Sequence, residues 1–449
     1  MNPVRPLTSR VPRSMELYRR ALELLPGGTQ LISRRPTRFA CGVSPIYAQR
    51  AQGARFWDVD GHEYIDWTSG IGAIILGYAD AVVDAAVHEQ ISHGTIYSVN
   101  HSLEIELAEE LIRAVPCAEM VRYAKTGGEA CAMAVRIARG ATGRDKVLVC
   151  GYHGWHDWYL AANLSADSNL NAHLFPGIEP IGVPAALSGT ALPFPYGDAA
   201  ALGQLLDDHQ GQVAAVIMEP LRSEAPPDGY LSQVARLARE HHAVLIYDEV
   251  STGFRFGVAA AQGYVGVTPD LAVFAKSISN GYPMAVVAGR RELLQASARM
   301  FISSTYWSDT IGLRATLTTL REIRARNVPK YLWCFGLRLQ ERLNQVAADV
   351  GLDVHCGGLS IHPQLQFGAT DDETRQQLHV LFIQEMAKRG CHGFTSFYLN
   401  AAQADAELDQ TTEAARETFT LLARALHDGT LAVLLECEPR QEPFRRLVR

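Results

Sequence analysis

Ala243-Val244-Leu245-Ile246-Tyr247-Asp248-Glu249-Val250-Ser251-Thr252-Gly253-Phe254-Arg255 and, further on, Leu271-Ala272-Val273-Phe274-Ala275-Lys276 share one pattern. Each opens with a short run of apolar residues and stops abruptly on a charged side chain. A run that is apolar throughout, rather than alternating, predicts a strand covered on both faces, as in a parallel sheet. In open parallel sheets ligands bind beyond the carboxyl ends of the strands. Asp248 and Lys276 both fall there. A carboxylate at such a place needs a cation or several hydrogen-bond donors. A lysine there loses hydration, which lowers its pKa and makes its amine nucleophilic. Each residue also has an ordinary reading, as a cap or ion pair for Asp248 and as a snorkelling side chain for Lys276.

The same pattern recurs on either side. Apolar runs cover residues 120–124, 147–150, 214–218 and 284–288, and helical stretches follow many of them. The run at 120–124 leads into Lys125-Thr126-Gly127-Gly128-Glu129 and then a helix predicted over 130–139. Glycines at a helix start let backbone N–H groups approach an anion, and the helix dipole favours negative charge there. The run at 147–150 leads into Gly151-Tyr152-His153-Gly154-Trp155-His156, whose aromatic residues suit the cover of a flat heterocycle.

This alternation predicts an α/β domain over residues 60–325 with a mostly parallel central sheet. A helix at 331–350, a few short strands and a helix near 410–427 predict a smaller α+β domain over 326–449. The segment 1–59, with a helix at 14–25 that stops at Pro26-Gly27-Gly28, is expected to join that smaller domain. Residues 54–66 predict a hairpin turning at Asp60-Gly61, and residues 102–114 a helix.

Composition narrows the function classes. The chain has 449 residues, 47% hydrophobic and 20% charged, with a formal net charge of -7. No basic block stands out, so no nucleic-acid partner is expected. No stretch is apolar for long enough to span a membrane, and the first ten residues lack a signal peptide's apolar core. None of the eight cysteines forms a Cys-x-x-Cys pair, which fits reduced thiols in a cytoplasmic protein with no metal. Gly70-Ile71-Gly72 does not continue as a dinucleotide fingerprint. Only five lysines occur, so one with a special role is easily isolated.

A phosphate turn, an aromatic cover, an acid for a ring nitrogen and a lysine for a Schiff base are what pyridoxal 5′-phosphate (PLP) requires. All four stand in order at predicted strand ends. Together with Gly53-Ala54-Arg55-Phe56-Trp57-Asp58-Val59-Asp60-Gly61, with Ala138-Arg139-Gly140-Ala141-Thr142-Gly143-Arg144-Asp145-Lys146, with 248–255 and with Pro269-Asp270, they make the chain resemble the class III aminotransferases of PLP fold type I. Within these it is similar to the glutamate-1-semialdehyde aminomutase group.

The resemblance implies that Lys276 carries the cofactor and shuttles the proton, and that Asp248 pairs with the ring nitrogen. It implies that Tyr152 and Val250 cover the two ring faces, with His153 beside them, and that Gly127 and Gly128 hold the phosphate. Glu224 falls near the ring hydroxyl. Thr305 would reach the phosphate of a neighbouring subunit, which implies a homodimer with shared active sites. Arg34, Trp155, Tyr306, Trp307 and Asp309 are the candidates for substrate contacts.

Departures from the group's pattern concern the pocket. The phosphate turn is Thr126-Gly127-Gly128 where a second hydroxyl residue is usual. Trp307-Ser308-Asp309-Thr310 is bulkier than the usual small run. These features suggest a transaminase that takes an amino group from glutamate or glutamine and gives it to a carbonyl on an oxidised amino-sugar or aminocyclitol, as in aminoglycoside antibiotic biosynthesis. An aminomutase-type isomerase, or a racemase or epimerase on the same scaffold, is the alternative.

Overall fold

The computed structural model describes residues 9–166, 169–174, 177–369 and 371–437. Among the described residues two compact units emerge: one takes residues up to Asp80 together with those from Tyr331 to Cys437, and the other takes Ala81–Lys330.

The second unit is built on a seven-stranded sheet. In spatial order its strands are Met120–Ala124, Ala285–Gly289, Leu271–Phe274, Val244–Asp248, Val213–Met218, Lys146–Cys150 and Ala191–Pro193. Only Ala285–Gly289 runs antiparallel to its neighbours; the pairings among the other strands are parallel. The alternation of side chains along each strand divides the core in two. Val147, Val149, Ala215, Ile217, Val244 and Ile246 face the layer that holds the helix Gly127–Thr142. Leu148, Cys150, Val216, Met218, Leu245 and Tyr247 face the layer of helices Ala199–Asp208 and Tyr230–Glu240. Both faces are thus covered, which is why the runs are apolar throughout; Val213–Met218 is buried at all six positions.

Register then places the site. Cys150 lies opposite Met218, Met218 opposite Tyr247, and Asp248 opposite Val273. The residues that leave these strands, Gly151, Glu219, Asp248 and Lys276, therefore emerge along one edge of the sheet.

The first unit contains a four-stranded sheet ordered Ala48–Gln52, Arg55–Asp58, Glu63–Asp66 and Cys391–His392. The hairpin at 55–66 packs on the helix Asp405–His427, where Arg55 pairs with Glu407 at 2.9 Å and Trp67 donates to Thr411 at 3.2 Å. Helix Asp372–Lys388 and the hairpin Val354–Gly357 with Gln364–Phe367 complete it. Among the described residues no helix is long and apolar enough to cross a membrane.

Candidate active site

Lys276 follows the strand Leu271–Phe274 and begins a single 3-10 turn, Lys276–Ser279. Its φ is +51°, a conformation that costs a side-chain-bearing residue about 1–2 kcal/mol. Its Nζ donates to Ser251 Oγ at 2.7 Å. Burial pushes the amine below the ordinary lysine range, against the pull of the Asp248 and Glu219 carboxylates; the Arg255 guanidinium adds to the lowering.

Asp248 is held by three donors. Its Oδ1 accepts from the Val250 N–H at 3.0 Å. Its Oδ2 accepts from the Cys131 thiol at 3.3 Å and faces His153 Nδ1 at 2.8 Å. An ionised carboxylate only accepts, so Nδ1 carries the ring proton. Nε2 of the same buried ring has no partner among the described residues. The imidazole lies near-parallel to Trp158, with centroids 6.5 Å apart, and edge-on to Tyr159.

The glycine turn has the geometry of an anion site. Thr126 caps the helix Gly127–Thr142 by accepting from the Glu129 N–H, and Glu129 reaches back to the Thr126 N–H at 2.9 Å. That box leaves the N–H groups of Gly127 and Gly128, at the first turn, without an intrahelical acceptor. A Cβ on Gly127 would stand 2.9 Å from both methyl groups of Val250, and one on Gly128 3.1 Å from the His156 ring. Gly154, at φ +105°, passes so close that its own Cβ would lie 2.9 Å from Gly128 Cα. Only backbone fits there, as a cradle for a phosphate requires.

The remaining sequence candidates differ in exposure and in partners. Tyr152 is half-exposed, with its N–H on Glu219 Oε2 at 3.2 Å. Trp155 is exposed and stacks on His156 at 4.5 Å. Glu224 is exposed on the loop after Val213–Met218. Thr305 and Tyr306 are exposed in the turn before the helix Thr310–Ala325, whereas Trp307 packs against the core. Asp309 pairs with Lys125 and caps the helix through the N–H groups of Ile311 and Gly312 at 3.0 and 3.3 Å. Its carboxylate is thus engaged within the protein. Arg34 belongs to the first unit, where it lines a cavity of about 280 Å³ with Ser33, Asp66, Tyr78 and His392.

Three residues that sequence reasoning passed over take part. Glu219 ends the strand run 213–218 as Asp248 ends its own. Burial and the Asp248 charge push its carboxyl upward, and Arg222 stands 3.8 Å away. The signal was present: an apolar run ending on an acid. Ser251 lies within the quoted stretch, three residues beyond Asp248. Cys131 gave no signal, because a cysteine on the inner face of a helix is ordinarily packing.

Comparison with known proteins gives the family. A family model described as aminotransferase class-III matches residues 39–362. The 3-aminobutyryl-CoA aminotransferase of Cloacimonas acidaminovorans is 31% identical over 431 residues, covering 93% of this chain and 99% of that protein. A glutamate-1-semialdehyde 2,1-aminomutase of Roseiflexus castenholzii is 35% identical over 440 residues, covering 93% and 99%. The structure of the FumI protein of Sphingopyxis sp. MTA144 in its PLP internal aldimine form superposes with a TM-score of 0.84 at 25% identity, covering 95% of this chain and 99% of that one.

Proposed function

The chain belongs to the class III aminotransferases, PLP-dependent enzymes of fold type I, and from that premise we propose that Lys276 carries the cofactor and that the enzyme moves an amino group from an amino acid to a carbonyl acceptor. The observation that carries this reading is the pairing of a burial-depressed amine at Lys276 with the thrice-held carboxylate of Asp248. The residues present fit the group. Gly127 and Gly128 offer N–H donors in a cradle that a Cβ would fill, and Asp248 offers a fixed anion for a protonated ring nitrogen. When bound, PLP supplies an electron sink for the carbon that loses its proton.

The chain's own residues do the rest. Lys276 Nζ holds and moves the proton, oriented by Ser251. Asp248 keeps the ring nitrogen protonated, and His153 keeps Asp248 in place. Val250 and Tyr152 exclude water from the two faces. Glu219, rather than the exposed Glu224, is the acid beside the ring. Thr305, exposed on a single chain, acts across a homodimer interface.

The acceptor is an oxidised amino-sugar or aminocyclitol in this reading. Trp155 and Tyr306 are exposed aromatic faces for a polyhydroxylated ring, and Glu224 is an exposed carboxylate for its ammonium groups. Asp309, engaged with Lys125, does not contribute. Glutamate or glutamine is the donor, and Arg222, beside Glu219, is a cation for its carboxylate. The experiment is a panel of donor amines, with conversion of the cofactor to its pyridoxamine form followed by absorbance, then candidate acceptors to reverse it. Efficient isomerisation of glutamate-1-semialdehyde to 5-aminolevulinate without added donor, with no turnover of oxidised aminoglycosides, would replace the acceptor reading by the aminomutase one.

A further inference from the structure

Asp248 has a partner whose role no step above uses. Cys131 sits one turn into the helix that opens with Gly127-Gly128, and its Sγ lies 3.3 Å from Asp248 Oδ2. The same oxygen receives His153, and the thiol, the imidazole nitrogen and the carboxylate oxygen lie within 4.8 Å of one another. With the Val250 N–H on Oδ1, three of about four acceptor sites of the carboxylate are filled from the protein. One remains, on Oδ1, for a ring nitrogen.

We propose that Cys131 is a positioning residue: its thiol donates to Asp248 and fixes the carboxylate in one orientation, so that its remaining lone pair faces the cofactor ring. This rests on the PLP reading of the site. The environment keeps the thiol a donor. Burial, and next the Asp248 charge, push it well above the ordinary thiol range, so it does not become a second anion beside the first. The other charged or titratable groups facing Asp248 are His153, Glu219, Lys276 and, on its own strand end, Glu249, with Tyr152 and Tyr159 close by and pushed up chiefly by burial. Of these, Glu219 and Glu249 are acids like itself, so each donor that holds its oxygens in place counts. Helix Gly127–Thr142 therefore serves both ends of the cofactor, the phosphate through its first turn and the ring nitrogen through the thiol.

Three substitutions separate donation from packing. Cys131→Val keeps the space filled and removes the donor; Cys131→Ala removes both; Cys131→Ser keeps a donor. The readouts are PLP release from holoenzyme on dilution, and the maximum and pH dependence of the cofactor's visible absorption. Val and Ala should each weaken PLP binding about 3- to 10-fold, the size of one modest hydrogen bond, and move the absorption titration. Ser should return both to within about 2-fold of wild type, as expected if only the donor is needed. Should Ala fold poorly, the Val and Ser pair decides alone. A Val variant that matches wild type in affinity and spectrum would overturn the proposal, since the thiol would then only fill space. Wild-type protein that takes up no PLP would overturn the reading of the site and this proposal with it.

Discussion

Replacing Asp248 by asparagine changes one atom and removes one charge from a residue that is 4% exposed. The amide has one acceptor oxygen where the carboxylate has two. If that oxygen stays on the Val250 side, the new NH₂ meets the His153 Nδ1–H, now 2.8 Å from Oδ2, and the Cys131 thiol. The imidazole has a way out. Moving its proton to Nε2, which has no partner among the described residues, turns Nδ1 into an acceptor. The thiol rotates away. The structural cost is then one hydrogen bond to a charged group, about 1–3 kcal/mol, a drop of a few degrees in melting midpoint at most. The chemical cost is larger. A fixed anion held against developing charge is worth about 10²–10³-fold in rate when removed, because the neutral amide no longer holds the ring nitrogen protonated. The assay is kcat and kcat/KM with the best donor, alongside PLP content and the melting midpoint. The expected result is a folded, yellow protein with activity down by two or more orders of magnitude. Turnover within about threefold of wild type, too small for loss of such a partner, would remove Asp248 from the chemistry. Loss of activity only in step with loss of folded protein would make its role structural.

Other consequences can be checked with simple variants. Gly127→Ala, whose methyl would stand 2.9 Å from both Val250 methyl groups, should weaken PLP binding tenfold or more, on the order of 1.4 kcal/mol. The double variant with Val250→Ala should recover part of it, and equal losses in both would place the clash elsewhere. Chains carrying Lys276→Ala, mixed with chains carrying Thr305→Trp, should regain up to about a quarter of wild-type sites, the statistical share in two-fold heterodimers. Heterodimers without any activity would mean that each site is built within one chain. Burial, with Arg222 and His153 nearby, pushes His173 down to about 4, and its neutral Nδ1 accepts the Gly151 N–H at 3.2 Å. The unfolded ring titrates near 6.5, so this contribution is complete above about pH 6.5 and is lost as pH falls toward 4, by about 2–3 kcal/mol. His173→Gln should flatten the fall in melting midpoint between about pH 7.5 and pH 5.5, one unit either side of the free-ring value, and an unchanged slope would assign the fall to other groups.

Much of this was legible because the sheet is buried on both faces. That burial removes alternation from the strands, so each polar residue that ends a run stands out, and Asp248 and Lys276 are found at once. The same rule points to Glu219, whereas Glu224 rested on the resemblance and stands exposed on the loop beyond that strand. Strand Ala191–Pro193 escaped notice because three residues ending in proline carry no pattern, and the reversed direction of Ala285–Gly289 is a property of connection, not of composition. Asp309 looked like a pocket acid, yet an acid directly before a helix start is an N-cap by local chemistry, and the structure uses it so. Cys131 could not be found from the chain alone. Its contact with Asp248 spans 117 residues and depends on helix phase and strand register together.

The most direct test of the central claim is chemical. Purified holoenzyme reduced with borohydride should lose its visible absorption and carry one pyridoxyl group, which peptide mass mapping should place on Lys276. Lys276→Ala should take up PLP without covalent capture and without turnover, since the cradle at Gly127 and Gly128 and the anion at Asp248 remain. The contradicting result is a pyridoxyl group on Lys125, the lysine directly before the glycine turn, with none on Lys276.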